Sequence, residues 1–241
     1  MKNHILKSPL TLIPLGLVYA VFIIMHLFFH DSPIQLPFPV ALLTIFSLFV
    51  CPIVATLFFL FSALGDWGGA TGQFLPQMGA FATAHIMLIV YLAMPFRTIK
   101  DRFRDLCSSH RIGFYFQLLS SLALLAAVFT RIVPNVPAGV LSIGVSVYSI
   151  LILIMWSLAM MHQSYWIKIG ATLFLISDFI LAWNRFVSPV EMARLQILIP
   201  YFLAQGCLFI GISLCNFAKK KIYKNFFISF HSLELHFLNS L

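Results

Sequence analysis

The side chains most capable of chemistry in this chain are the carboxyl groups of Asp66 and Asp178, which lie within long runs of apolar residues. An ionisable side chain inside a membrane span costs at least about 2.5 kcal/mol, so its presence calls for a specific role. Carboxyl groups in a dry, helical setting can donate, accept or relay protons. The two aspartates are therefore the first candidates for a functional site.

Further polar side chains follow helical spacing in the same apolar sequence. Asp178 and Arg185 are two helical turns apart and share a face, and Tyr201 and Gln205 are one turn apart on another helix. His85 lies within a third apolar run. We expect these side chains to share one polar pocket with both aspartates.

Each of these residues also has a structural interpretation. Asp66 could be a solvated carboxylate near a helix end, and Asp178 could hold a structural hydrogen bond. His85 could bridge two helices, and Tyr201 could belong to the aromatic belt at the membrane surface. For His26, near the end of the first apolar run, the structural interpretation prevails.

Other site chemistries have little support in the sequence. A zinc site needs several clustered histidine, cysteine or carboxylate ligands, whereas His26 and His85 are the histidines of the apolar runs and the 4 cysteines are scattered. The chain contains neither the GxSxG elbow of a serine nucleophile nor a phosphate-binding P-loop. We therefore expect neither a metal nor another cofactor.

The composition of the chain indicates that these residues lie in a membrane and not in a soluble domain. Apolar residues make up 61% of the 241 residues and charged residues only 9%, whereas a soluble domain carries about 25% charged residues. We expect an all-α polytopic membrane bundle of about eight transmembrane helices. Pro52 separates the second run from the third, and we interpret it as a turn. The apolar runs are 9–29, 36–51, 53–71, 76–94, 112–132, 138–160, 166–186 and 196–217.

Loop charges predict the orientation of the bundle. An even number of spans puts the N-terminal lysines, the basic loop 96–111 and the lysines after residue 218 on one side, which the positive-inside rule makes cytoplasmic. The net charge of +8 then needs no nucleic acid as a partner. We expect residues 1–217 to form the bundle and residues 218–241 a cytoplasmic tail, which is either an interfacial helix or an unstructured end. The expected location is a bacterial inner membrane.

The segments that contain these polar residues also agree in order and spacing with a known family over residues 55–216. The segment Gly170–Phe186, which includes Asp178, carries the most specific part of the likeness. The other segments are Leu60–Asp66, Gly79–His85, Val147–Tyr148 and Tyr201–Gln205. On these residues the chain resembles the YhhN family of lysoplasmalogenases.

This resemblance implies a membrane enzyme that hydrolyses the vinyl ether bond of lysoplasmalogens, with a lysophospholipid and the bilayer as its partners. The products are a fatty aldehyde and glycerophosphocholine or glycerophosphoethanolamine. Asp66 and Asp178 would form the catalytic pair, and the sequence leaves open which of them is the acid. The residues that would orient water, substrate or phosphate are His85, Tyr148, Asn184, Arg185, Tyr201 and Gln205.

Two other functions remain compatible with the same residues. Carboxyl groups inside a membrane also form proton relays, so a proton-coupled transporter is the first alternative. A lipid-binding membrane protein without catalytic activity is the second. Sensitivity to a proton gradient would distinguish transport from hydrolysis, because ether cleavage needs no gradient.

Overall fold

The computed structural model describes residues 12–28, 36–94 and 111–238, with side chains described at 12–28, 36–94 and 115–218. Every regular element in these ranges is a helix, which confirms the all-α prediction. The helices are α1 Leu12–Phe28, α2 Phe38–Val50, α3 Ile53–Ala70, α4 Phe74–Ala93, α5 Arg111–Ala127, α6 Val140–Met160, α7 Tyr165–Phe186 and α8 Ala193–Leu238.

Most of these helices match the thickness of a bilayer. In the described ranges, 6 helices from α3 to α8 are long and apolar enough to cross a membrane. The two N-terminal helices are also apolar but shorter, with 17 residues in α1 and 13 in α2. The chain is therefore a multi-pass helical membrane bundle, as its composition predicts.

The boundary between the second and third apolar runs, at Pro52, is a turn. Cys51 closes α2 through its backbone N–H, which donates to the carbonyl of Ser47 at 2.8 Å, and Pro52 is the extended N-cap of α3. Proline lacks a backbone N–H and has a fixed φ, so it can start a helix but not continue one. The prediction of a turn at Pro52 is confirmed.

Close packing of α7 against α8 forms one half of the bundle core. A Cβ atom on Gly170 would lie 2.8 Å from Cγ of Leu208, and one on Gly211 would lie 2.8 Å from Cγ1 of Ile167. Small residues let helix backbones approach in this way inside membranes. Ile167 and Leu208 are completely buried, so this contact fixes the spacing of the two helices.

The chain does not end its helical course at α5. After Ala127 it continues as a π-helix, Val128–Ile132, followed by a short 3-10 turn, Val133–Asn135. A π segment widens the helix locally and often occurs at functional sites. Here it turns Val128 and Ile132 toward a small cavity beside α6 and α7.

Two predictions fall partly outside the described residues. The basic loop 96–111 and the N-terminal lysines lie outside them, apart from the backbone at position 111, so the orientation of the bundle stays a prediction. The backbone of α8 continues as helix to Leu238, past the boundary at residue 217. The separate role of residues 218–241 also stays a prediction.

Candidate active site

A polar cavity of about 480 Å³ lies where α3 and α7 end and where α4 and α8 begin. Its wall contains both aspartates, Asp66 from α3 and Asp178 from α7, together with Arg185 and Tyr201. Six residues were predicted to share one pocket. The structure brings these four together in the cavity wall, whereas His85 and Gln205 do not line it. The remaining lining residues are His26, Leu36, Gly69, Ala70, Gln77, Phe81, Ser177, Leu181, Arg194, Ile197 and Leu198.

Two side chains of other helices lie against Asp178, and one of them makes a hydrogen bond to it. The hydroxyl of Tyr148 on α6 donates a hydrogen bond to Oδ2 of Asp178. Nε2 of His85 on α4 lies 4.0 Å from the same oxygen, and the side chain of Asp178 keeps 14% of its surface exposed. The carboxyl group is therefore positioned by α4 and α6 while one side of it still faces the cavity.

The hydrogen bonds of His85 indicate its tautomer. Its Nδ1 lies 2.7 Å from the carbonyl oxygen of Phe81, and a carbonyl can only accept, so Nδ1 carries the proton. Its Nε2 is buried and has no hydrogen-bond partner among the described residues. In the neutral ring this nitrogen presents a lone pair toward Asp178. The ring of Phe174 packs edge-on against the imidazole with 4.8 Å between centroids, which fixes its plane.

Asp66, on α3, belongs to a second group of polar residues together with Tyr201 and Gln205 of α8. Asp66 is only 3% exposed, and Tyr201 lines the same cavity wall. Tyr201 in turn accepts a hydrogen bond of 3.2 Å from Nε2 of Gln205. Oδ2 of Asp66 has no partner in the described part of the chain. A buried polar atom left without a partner is costly, and such groups are typical of sites that bind or transform a ligand.

Two arginines enter the cavity wall from the ends of α7 and α8. The guanidinium of Arg185 lies over the ring of Phe74 with 4.1 Å to its centroid, a cation–π contact. Nη2 of Arg194 donates a hydrogen bond of 2.8 Å to the carbonyl oxygen of His26 on α1. Buried His26 thus joins α1 to α8 and also lines the cavity, so its structural role is compatible with a place in the wall.

Sequence reasoning did not identify Arg194 and Gln77. Arg194 lies in the first turn of α8, where a polar residue at a membrane surface is ordinary and attracts no attention. Gln77 lies in the first turns of α4, and its side chain packs against Gly69, where a Cβ would lie 2.7 Å from Nε2 of Gln77. The adjacent glycines Gly68 and Gly69 were the available signal, because they mark a close approach of a second helix.

Asn184, like His85, Tyr148 and Gln205, does not line the polar cavity. Its Oδ1 accepts a hydrogen bond of 2.9 Å from the backbone N–H of Val190 and so organises the connection between α7 and α8. A direct contact between Asn184 and a substrate therefore stays a prediction. Among the described residues, no group of three or more His, Cys, Asp or Glu side chains could hold a metal ion.

A second, smaller cavity of about 70 Å³ adjoins the polar one. Asp178 and Gln77 line both cavities, so the carboxyl group of Asp178 lies at the border between them. Apart from these two residues and Tyr148 and Ser149, the wall is hydrophobic. Its apolar members are Phe74, Met78, Phe81, Leu124, Val128, Ile132, Val145, Ile152, Leu153, Leu175, Phe179, Leu181, Ala182 and Phe186.

Comparisons with known proteins agree with this architecture. The family model described as the YhhN family matches residues 33–212, well over half of the chain. A curated human protein, lysoplasmalogenase TMEM86B, is 32% identical over 149 residues, which cover 60% of this chain and 56% of the human protein. The matched region thus spans a little over half the length of that relative. No solved structure matches the chain at a significant level.

Proposed function

This chain belongs to the YhhN family, and from that premise we propose that it is a membrane-embedded hydrolase of the vinyl ether bond of lysoplasmalogens. The similarity to a protein named lysoplasmalogenase supports the substrate class. The cavity wall supplies the pair of carboxyl groups that the reaction needs. The substrate is a single-chain lipid, which agrees with a site enclosed within a multi-pass bundle.

The observation that carries the proposal is the position of Asp178 between a polar and an apolar cavity. A lysolipid has the same division, with a polar head group on one side of its ether bond and a hydrocarbon chain on the other. With the carbons next to the ether bond in the apolar cavity and the head group in the polar one, the ether bond lies beside Asp178. The rest of the hydrocarbon chain extends beyond this small cavity. Asp66 then acts from another part of the polar cavity wall.

The chemistry needs one proton donor and one charged group. A carboxylic acid of the pair protonates the β-carbon of the vinyl ether, and the double bond becomes an oxocarbenium ion at the α-carbon. The second aspartate, as a carboxylate, stabilises this cation and accepts a proton from the water that adds to it. The resulting hemiacetal breaks its bond to the glycerol oxygen, which takes up a proton, and the aldehyde is released. This division of labour resembles that of glycosidases.

The contacts around the pair fix its geometry for these steps. Tyr148 donates a hydrogen bond to Asp178, and the ring of His85 lies beside the same oxygen. Tyr201, which accepts a hydrogen bond from Gln205, lines the cavity together with Asp66. Preorganised neighbours of this kind let a proton move without reorganising the site. We assign these four residues as positioning residues for the two carboxyl groups.

The test compares a lysoplasmalogen with its saturated ether analogue, using detergent-purified protein. The proposal predicts release of fatty aldehyde from the vinyl ether and none from the saturated ether, since only the former has a carbon that accepts a proton. Absence of aldehyde from well-folded protein, with both choline and ethanolamine head groups, would reject the hydrolase. Uptake that depends on a proton gradient would then favour the transporter.

We also propose that the polar cavity opens on the non-cytoplasmic side, as the loop charges predict. In cysteine-free protein, the variant Glu191→Cys introduces a thiol in the exposed connection between α7 and α8, near the cavity. A membrane-impermeant thiol reagent should label this cysteine in intact cells. Labelling only after cell lysis would reverse the orientation.

A further inference from the structure

The two arginines of the polar cavity have positive charges that no carboxylate cancels in the described part of the chain. The one contact of 4.0 Å between a basic nitrogen and a carboxylate oxygen recorded there joins the neutral ring of His85 to Asp178 and involves neither arginine. Arg185 instead lies over the aromatic ring of Phe74, and Arg194 donates to a backbone carbonyl. Both contacts orient a guanidinium and leave its charge available. Keeping two such groups in one wall favours an anionic ligand.

The charge of the described part of the cavity wall points the same way. The proposed reaction needs one aspartate protonated and the other charged. Two arginines and a single carboxylate then leave the wall with a net positive charge. A phosphodiester carries one negative charge and offers oxygens that match the fork of a guanidinium group. A neutral ether lipid offers neither of these features.

The positions of the arginines along their helices fit the dimensions of a lysophospholipid. Arg185 is two turns beyond Asp178 on α7, about 10 Å along the helix axis, and Arg194 precedes Tyr201 by the same interval on α8. Both arginines are therefore displaced toward the helix ends relative to the carboxyl groups. In the substrate, a glycerol unit likewise separates the ether oxygen from the phosphate, and long arginine side chains can cover the remaining gap.

We propose that Arg185 and Arg194 form the binding site for the phosphodiester of a single-chain ether lipid, at the end of the polar cavity formed by α7 and α8. The inference rests on the proposed function for the identity of the lipid and names the part of the lipid that these arginines recognise. Held there, the phosphate sets how far the lipid enters, and the ether bond stops beside Asp178. The arginines thus select lysophospholipids over neutral ether lipids.

The experiment measures binding of saturated ether lipids, which the enzyme does not cleave. The two probes are an alkyl-glycerophosphocholine and the alkylglycerol that lacks its phosphate. Arg185→Gln and Arg194→Gln should each weaken binding of the phosphate-bearing lipid about tenfold or more, with binding of the alkylglycerol unchanged. The matched control is Arg131→Gln, at an exposed arginine of the π-helix after α5 that lines neither cavity.

Equal weakening of both lipids, or of neither, would overturn the head-group site, and so would failure of folded wild type to prefer the phosphate-bearing lipid. Arg194 also joins α8 to α1 through His26, so Arg194→Lys tests whether charge alone restores binding. Arg185 is exposed, and its substitution should leave folding intact. Because these probes carry no vinyl ether, a wild type that binds them but releases no aldehyde from a lysoplasmalogen would refute the hydrolase and not this site.

Discussion

The two halves of the α7–α8 pair differ in what they bury. In the half that contains Gly170 and Gly211, the backbone of each helix packs against a side chain of the other. Those side chains, Ile167 and Leu208, are fully buried. The other half contains Asp178 and Tyr201 and encloses a cavity of about 480 Å³. The same two helices thus form a tight contact, named here the packed half, and a polar site, named here the cavity half.

This difference shows how a membrane bundle can keep costly polar groups at a fixed separation. Lipid offers no hydrogen bonds, so an unpartnered polar atom must be held in place by packing elsewhere. Buried polar atoms without partners in the described residues include Oδ2 of Asp66, Nε2 of His85 and Oε1 of Gln205, at or beside the cavity. The packed half fixes the spacing of α7 and α8, and this fixed spacing holds the polar groups of the cavity half in position.

The largest expected effect is loss of activity in the cavity half. Asp66→Asn and Asp178→Asn each remove a carboxyl group while keeping its shape, and aldehyde release should fall about 10²- to 10⁴-fold, as for other acid–base residues. The measurement is the initial rate on a lysoplasmalogen, with thermal unfolding to confirm that each variant is folded. Glu191→Gln, which changes an exposed carboxylate beyond the cavity, should keep the wild-type rate. Near-normal rates in the two aspartate variants would remove the catalytic pair.

A smaller loss is expected when one support of Asp178 is removed. Tyr148→Phe deletes the hydroxyl that donates to Oδ2 of Asp178, and hydrogen bonds to charged groups contribute about 1.5–3 kcal/mol. The rate of aldehyde release should therefore fall about tenfold to a hundredfold, with the affinity for the saturated ether lipid little changed. Tyr165→Phe is the matched control, because Tyr165 is exposed at the start of α7. A shared, equal loss in both variants would argue against a positioning role.

A third change acts on the packed half and should affect stability. The Cβ atom of Gly170→Ala would lie 2.8 Å from Cγ of Leu208 and 3.0 Å from the carbonyl oxygen of Ala204. Overpacking of this kind costs about 1–3 kcal/mol, so the unfolding temperature in detergent should fall. Gly79→Ala, whose Cβ meets nothing within 4 Å, should leave it nearly unchanged. If the two variants unfold alike, the packed half does not hold the bundle together as described.

The smallest effect is expected where a polar group is poorly satisfied already. Gln205 is fully buried, its Oε1 lacks a partner in the described residues, and its Nε2 donates to Tyr201. Gln205→Met removes the unsatisfied oxygen and leaves Tyr201 free to donate to Asp66, so the free energy of unfolding should change by less than about 1 kcal/mol. Thermal unfolding measures this change. A loss of several kcal/mol would mean that Gln205 holds the bundle rather than the site.

Much of the fold was predictable because a membrane restricts it strongly. Apolar runs of about 20 residues must be helices, and the predicted runs agree with the described helices, including the turn at Pro52. The π-helix at Val128–Ile132 was not predicted. A local widening of a helix depends on what packs beside it, and hydropathy does not record those contacts.

The site was predictable only in part, for a related reason. Asp66 and Asp178 are anomalous in their own segments, so composition alone draws attention to them. Tyr148 was identified through the family resemblance, because its hydrogen bond to Asp178 joins two helices and leaves no local pattern. Arg194 was missed since an arginine in the first turn of a membrane helix is ordinary. Its importance comes from the cavity that α3 and α7 complete.

The most direct test of the account is a double-mutant cycle on the two aspartates, measured as aldehyde release from a lysoplasmalogen. If Asp66 and Asp178 act as one unit on one bond, the double variant Asp66→Asn/Asp178→Asn should be about as slow as the slower single variant. Folding of all three variants is checked by thermal unfolding. Losses that multiply in the double variant would mean that the carboxyl groups act independently, and that result would contradict paired catalysis in this cavity.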